Sequence, residues 1–76
     1  MTQMKIRLAA INDVKEFVDI AGRYSFDIDI TVGKYVVDAK SIMGLFSLDL
    51  SKELTVNAHT DDAKDLAEKI EKFIVK

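Results

Sequence analysis

The sequence predicts an α+β domain: a four-stranded antiparallel sheet with three helices packed on one face, in the order β-α-β-β-α-β-α. Three observations predict it. Three short segments alternate apolar and polar residues, as half-buried strands do. Two segments carry apolar stripes at helical spacing, and a Gly-Lys pair joins one alternating segment to Tyr35-Val36-Val37-Asp38 closely enough to form a hairpin. Short connections and one-sided alternation favour an antiparallel sheet that covers its apolar face with helices.

Met4, Ile6 and Leu8 alternate with Lys5 and Arg7, which gives the first strand. Asn12 and Asp13 then offer N-cap oxygens, and Glu16 stands where a capping box places its acid. Val14, Phe17, Val18 and Ala21 follow at i, i+3, i+4 and i+7, so the spacing predicts a first helix over about Asp13 to Ala21. Gly22 is expected to end it in the left-handed conformation. Phe26, Ile28 and Ile30 alternate with Asp27, Asp29 and Thr31 as the second strand. Gly33-Lys34 makes the turn, and Tyr35 to Asp38 returns as the third strand. Ser41 is placed to cap a short helix that Gly44 weakens, with Leu45 and Leu48 as its core residues. Leu54, Val56 and Ala58 alternate with Glu53, Thr55 and Asn57 as the fourth strand. In the last segment Thr60 is the expected cap, with Asp61 and Asp62 at the positive end of the helix dipole. Ala63, Leu66, Ala67, Ile70, Phe73 and Ile74 form its stripe, and Asp65/Lys69 and Glu68/Lys72 are its expected i, i+4 pairs.

Composition narrows the function. With 76 residues and no linker, repeat or low-complexity stretch, one domain is expected from end to end. No cysteine is present, which removes disulfides and thiolate metal sites. No apolar run approaches the roughly 20 residues needed to span a membrane, and Met1–Ala10 lacks a signal-peptide layout, so a soluble intracellular protein is expected. Thirteen acidic against eleven basic residues give a net charge of −2 without a basic block, which argues against nucleic-acid binding. There is no Ser/His/Asp constellation, glycine-rich phosphate loop or redox motif, so no enzymatic activity is expected.

Arg23-Tyr24 leading into Asp27-Ile28-Asp29-Ile30, and Lys40-Ser41-Ile42-Met43-Gly44-Leu45-Phe46-Ser47-Leu48, carry a resemblance. The second stretch is similar, almost position for position, to the regulatory-serine motif of the HPr (histidine-containing phosphocarrier) family, and the resemblance covers essentially the whole chain. It implies an HPr-like open-faced β-sandwich. It also implies a cytoplasmic bacterial protein tied to the phosphoenolpyruvate-dependent sugar phosphotransferase system (PTS). HPr proteins carry phosphate on a histidine at the start of the first helix, within a Gly-(hydrophobic)-His-Ala-Arg-Pro stretch. A phosphohistidine transfers its phosphoryl group readily, and the helix N-terminus stabilises the anion. Sliding this sequence back from Arg23 without gaps puts Ala10 at the histidine, Asn12 at the arginine and Asp13 at the proline. Ala10 has no nucleophile, Asn12 lacks the guanidinium fork that grips phosphate, and Asp13 repels it. The resemblance therefore implies a degenerate active site.

The candidate residues follow. His59, the single histidine, falls between the fourth strand and the last helix, beside Asp61 and Asp62. Those carboxylates disfavour an added phosphate and favour a protonated imidazole. Its simplest reading is a solvent-facing loop histidine, without the ligand spacing of a metal site. No metal or cofactor is expected. Ser41 is a helix cap on its residues alone, and the resemblance makes it a phosphorylation candidate, the target of a dedicated HPr kinase in some bacteria. Phosphate is tolerated at a helix N-terminus, so the two roles are compatible. The short helix carries more apolar bulk than it can bury, and exposed apolar patches mark partner surfaces. The resemblance assigns Ile42, Met43 and Phe46 to partner binding, for which methionine is well suited. The aromatic residues read as core and sheet-edge groups, and Asp27 and Asp29 as a solvated outer face.

The expected function is thus a non-carrier regulatory or partner-binding variant, with PTS enzymes, HPr kinase or a transcriptional regulator as partners by resemblance. It is expected to act as a monomer or weak dimer. One family precedent has its histidine replaced, keeps only the serine site and works through gene-regulatory partners. The alternatives are a phosphocarrier using His59 or another non-standard site, and a non-PTS ligand-binding or assembly module on a ferredoxin-like α/β sandwich.

Overall fold

A computed structural model describes residues 1–75. Its elements are β1 (Thr2–Ile6), α1 (Ile11–Ala21), β2 (Ile28–Val32), β3 (Tyr35–Asp38), α2 (Ile42–Phe46), β4 (Leu54–Ala58) and α3 (Lys64–Lys69), followed by a 3₁₀ turn over Glu71–Phe73. The strands form one antiparallel sheet in the order β1-β4-β2-β3. The expected four-stranded sheet and three helices are present in the expected order. The last strand in sequence lies at the centre of the sheet, inserted between β1 and β2.

Alternation decides the two faces. Ile6, Ile28, Ile30, Leu54, Val56 and Ala58 are buried on the helix side. Their neighbours Lys5 and Thr55 are exposed or half-buried on the other. Val14, Phe17 and Ala21 of α1, Leu45 of α2, Leu66 of α3 and Ile70 just past its end meet that apolar face. Phe17 and Phe73 close the core edge-to-face, with ring centroids 6.4 Å apart. The hairpin turns through Gly33, whose φ of +57° suits a residue without a side chain. Lys34 has negative φ, so the two-residue turn is of type II′, which matches the twist of the strands it joins.

Several helix ends differ from expectation. α1 begins at Ile11 with Ala10 as its N-cap and no side-chain cap. Asn12 and Asp13 therefore lie inside the first turn, and Asp13 Oδ2 accepts from the backbone N–H of Ala9 at 3.0 Å. Gly22 is right-handed (φ −66°), because Arg23 and Tyr24 continue into tightened turns onto Ile20 and Ala21 carbonyls. Since alanine adopts this conformation and its methyl would meet Val18 O at 3.4 Å and Asp19 O at 3.6 Å, both ordinary contacts, Gly22→Ala is expected to stabilise the domain. The gain should be about 0.4–1 kcal/mol in chemical denaturation; a loss would place Gly22 outside this geometry. Leu8 is buried but lies past the end of β1, and Phe26 precedes β2.

α3 is shorter than its stripe. Thr60 does not cap it; Thr60 Oγ1 accepts from Asp62 N, and Asp62 Oδ1 takes the Lys64 N–H ahead of the first turn. Asp65, not Asp61 or Asp62, stands in that turn. Past Ile70 the chain leaves the helix and runs beside β1, where Ile6 pairs with Ile74, Arg7 N donates to Phe73 O and Val75 N to Lys5 O. Asp65 turns to Tyr24 and Lys72 to Glu16, away from the expected i, i+4 partners.

Candidate functional site

The α2 segment and the polar outer face of the sheet hold the side chains singled out above. Ser41 caps α2 as expected: its Oγ accepts from Gly44 N at 3.2 Å. Gly44 is needed here for closeness, because a Cβ on it would sit 3.3 Å from Ser41 Oγ and 3.4 Å from Val37 Cβ. That approach seats α2 against β3. Leu45 and Leu48 face inward and are buried, as expected. Ile42 is half-buried against the core, while Met43 is 75% and Phe46 38% exposed. The three residues assigned to partner binding are thus graded from packed to open along one turn.

Lys40, which sequence reasoning passed over, anchors this segment. Its ammonium donates to the Tyr24 and Phe26 carbonyls at 2.8 and 3.0 Å, while its own N–H donates to Asp38 Oδ1. Two carbonyls from the α1–β2 connection are therefore satisfied by the residue just before the α2 cap. Nothing in the local pattern announces it, since the partners are 14 and 16 residues away. Tyr24 is held in turn, its hydroxyl donating to Asp65 Oδ2 at 2.6 Å. Burial first, then the hydrogen bond and charge of Asp65, raise the Tyr24 phenol to about 12. A raised phenol favours the protonated folded state, so its contribution is full below the unfolded value near 10 and is lost between about pH 10 and 12. Alkaline denaturation should show that loss, and Tyr24→Phe should remove it; an unchanged profile would contradict the Tyr24–Asp65 bond.

His59 lies on the outer face at the end of β4. Its carboxylate partner is not Asp61 or Asp62 but Asp29, with His59 Nε2 2.7 Å from Asp29 Oδ2. The cause is strand order: β4 lies beside β2 in a register that pairs Asp29 with Asn57, and His59 N donates to Asp27 O. Asn57, a buried polar residue on this outer face, donates to Asp29 Oδ1 and Thr31 Oγ1 and accepts from Gln3 Nε2. The expected solvated face is thus a cross-strand polar network over β1, β4 and β2. Among the described residues no group of three or more acidic or histidine side chains is arranged to hold a metal ion. Nor, among the described residues, is any helix long and apolar enough to cross a membrane.

The HPr family's sequence model, described as the PTS HPr component phosphorylation site, matches residues 7–76. The chain belongs to the HPr family. Solved HPr structures agree with its fold. HPr-C-His from Thermoanaerobacter tengcongensis is 26% identical with a TM-score of 0.77, over 95% of this chain and 89% of that one. The phosphocarrier protein HPr from Bacillus anthracis str. Ames is 25% identical at 0.73, over 97% and 96%. Crh, the catabolite repression containing protein of Bacillus subtilis, is 27% identical at 0.66, over 93% and 88%; its structure is described as a domain-swapped, intertwined dimer. No curated protein matches the chain. Family membership relates the chain to the PTS, whose phosphocarriers act through protein partners. The family's open-faced sheet is the one found here, with α2 and its neighbours on the helix side.

Proposed function

We propose that this chain is a partner-binding HPr variant that does not carry phosphate on a histidine at α1. One observation carries the reading: the α1 N-terminus is already served by the chain's own carboxylate. Ala10, at the position the resemblance gives to the phosphohistidine, is exposed and offers no nucleophile. Asp13 turns its carboxylate onto the Ala9 N–H, so a negative charge sits where a transferred phosphoryl group would have to be stabilised. Asn12 in the same turn supplies no guanidinium. The three features act in one direction.

Docking would then run through Met43 and Phe46, with Ile42 as their partly buried base, onto PTS enzymes, HPr kinase or a transcriptional regulator. Ser41 adjoins this surface, and a phosphate on its Oγ would add about −1.5 to −2 charges beside Met43. A phosphoryl oxygen can still accept the Gly44 N–H, so the modification need not unfold α2. Its effect would fall on partners, by opposing an apolar docking face or recruiting a basic one. HPr kinase with ATP should add one acid-stable phosphate to the chain, and Ser41→Ala should abolish it. Met43→Asp should weaken partner binding without changing the unfolding midpoint. No phosphate in the wild-type chain would remove the serine switch, and unimpaired binding by Met43→Asp would remove the docking surface. A second reading rests on His59: Asp29 engages Nε2 and orients the ring, which leaves Nδ1 as a possible phosphoryl acceptor.

A further inference from the structure

The two edges of the sheet are treated differently. The end of β1 is covered by the chain's own tail through Ile74 and Val75. β3 has no strand on its outer side among the described residues, and it bears Tyr35 and Val36 at 70% and 66% exposure. We propose that β3 pairs antiparallel with β3 of a second copy across a two-fold axis at Val36, joining two four-stranded sheets into one of eight strands.

The backbone register supports this pairing. Val32 faces Tyr35 across the two-residue turn, and Ile30 faces Val37. Ala39 N continues the series onto Ile28 O. Residues 35, 37 and 39 therefore direct their N–H and C=O groups toward β2, and Val36 and Asp38 of β3 direct theirs outward. A two-fold at Val36 sets Val36 opposite Val36 as a hydrogen-bonded pair, and Lys34 opposite Asp38 of the second copy. Asp38 O is already used by Ser41 N, but the Val36 groups and the Asp38 N–H remain for the new ladder. An isologous contact of this kind closes on itself.

The side chains choose among registers. With the axis at Val36, Lys34 and Asp38 form two opposite-charge pairs on the outer face, and Tyr35 meets Val37 on the inner face as an aromatic–β-branched pair. Sliding by two residues in either direction sets Lys34 or Asp38 opposite Val36 and loses both ion pairs. Sliding by four opposes Lys34 to Lys34 or Asp38 to Asp38. Asp38 also needs a cation, because across the hairpin it faces Asp29 on the same side of the sheet, and like charges so placed repel. Its Oδ1 accepts from Lys40 N, which leaves Oδ2 for the incoming Lys34. The short strand and its flanking lysine, ordinary guards against indiscriminate edge pairing, here permit one partner, a second copy of this chain.

The chain has no cysteine, so one introduced thiol reports the contact cleanly. Paired Val36 Cα atoms would lie about 5.5 Å apart, within disulfide reach. Val36→Cys should therefore cross-link between chains about tenfold faster than Lys15→Cys on the exposed face of α1. Sedimentation from about 10 µM to 1 mM should show a monomer–dimer equilibrium, weakened about tenfold by Lys34→Glu. Lys34→Glu combined with Asp38→Lys should restore it, with circular dichroism confirming the fold. Sedimentation as a monomer throughout overturns the proposal. So does a dimer indifferent to Lys34→Glu, which would place the contact on another face, or equal cross-linking of the two cysteine variants.

Discussion

Phe17→Ala is expected to lower the unfolding free energy by about 3–5 kcal/mol, the cost of deleting a fully buried aromatic ring. Phe17 is 0% exposed and sits midway along the apolar face of α1, its ring edge-to-face with Phe73. The truncation removes the ring's own burial and leaves a cavity. It also frees Phe73, the residue that hands the chain from the 3₁₀ turn to its pairing beside β1. A 76-residue domain has a total stability of roughly 4–11 kcal/mol, so most of the margin would go. Guanidinium unfolding with a van't Hoff check measures this directly. A change below about 1 kcal/mol would mean that the α1–sheet packing is not the centre of the core.

Lys40→Met should have the next largest effect, about 2 kcal/mol, because it removes an ammonium that satisfies two backbone carbonyls while keeping most of the stem. The loss is expected to be uneven. Lys40 precedes the Ser41 cap and ties it to residues 24 and 26, so amide exchange at Gly44 and Leu45 should accelerate more than exchange in β4. Equal acceleration everywhere would show only global destabilisation, and no acceleration would remove Lys40 as the anchor of the docking segment.

Local chemistry made much of this fold legible in the sequence. β3 and the Gly33-Lys34 turn, β4, and the Ser41 cap each depend on a few neighbouring residues, and each stands where expected. Helix ends were less legible because competing groups decided them. Asn12 and Asp13 looked like caps, yet Asp13 reaches back to Ala9 from inside the helix. The stripe through Phe73 and Ile74 predicted a longer last helix, but the tail's hydrogen bonds to β1 win over further helical bonds. Phe73 is buried under either outcome, so apolar spacing alone could not separate them.

The site divides the same way. Ser41 and the apolar crowding of α2 are visible in one short motif. The pairing of His59 with Asp29 is not, since it depends on β4 lying beside β2 and spans 30 residues. The Lys40 anchor is hidden for the same reason, and no charge pattern on either side of it differs from an ordinary solvated lysine.

Intact mass after incubation with enzyme I and phosphoenolpyruvate decides whether the chain accepts phosphate at a histidine, with an authentic HPr as positive control and HPr kinase with ATP in parallel. A non-carrier chain should gain no acid-labile phosphate, and should gain an acid-stable one from the kinase that Ser41→Ala removes. An acid-labile phosphate from enzyme I, lost in His59→Ala, would contradict that reading and make the chain a phosphocarrier.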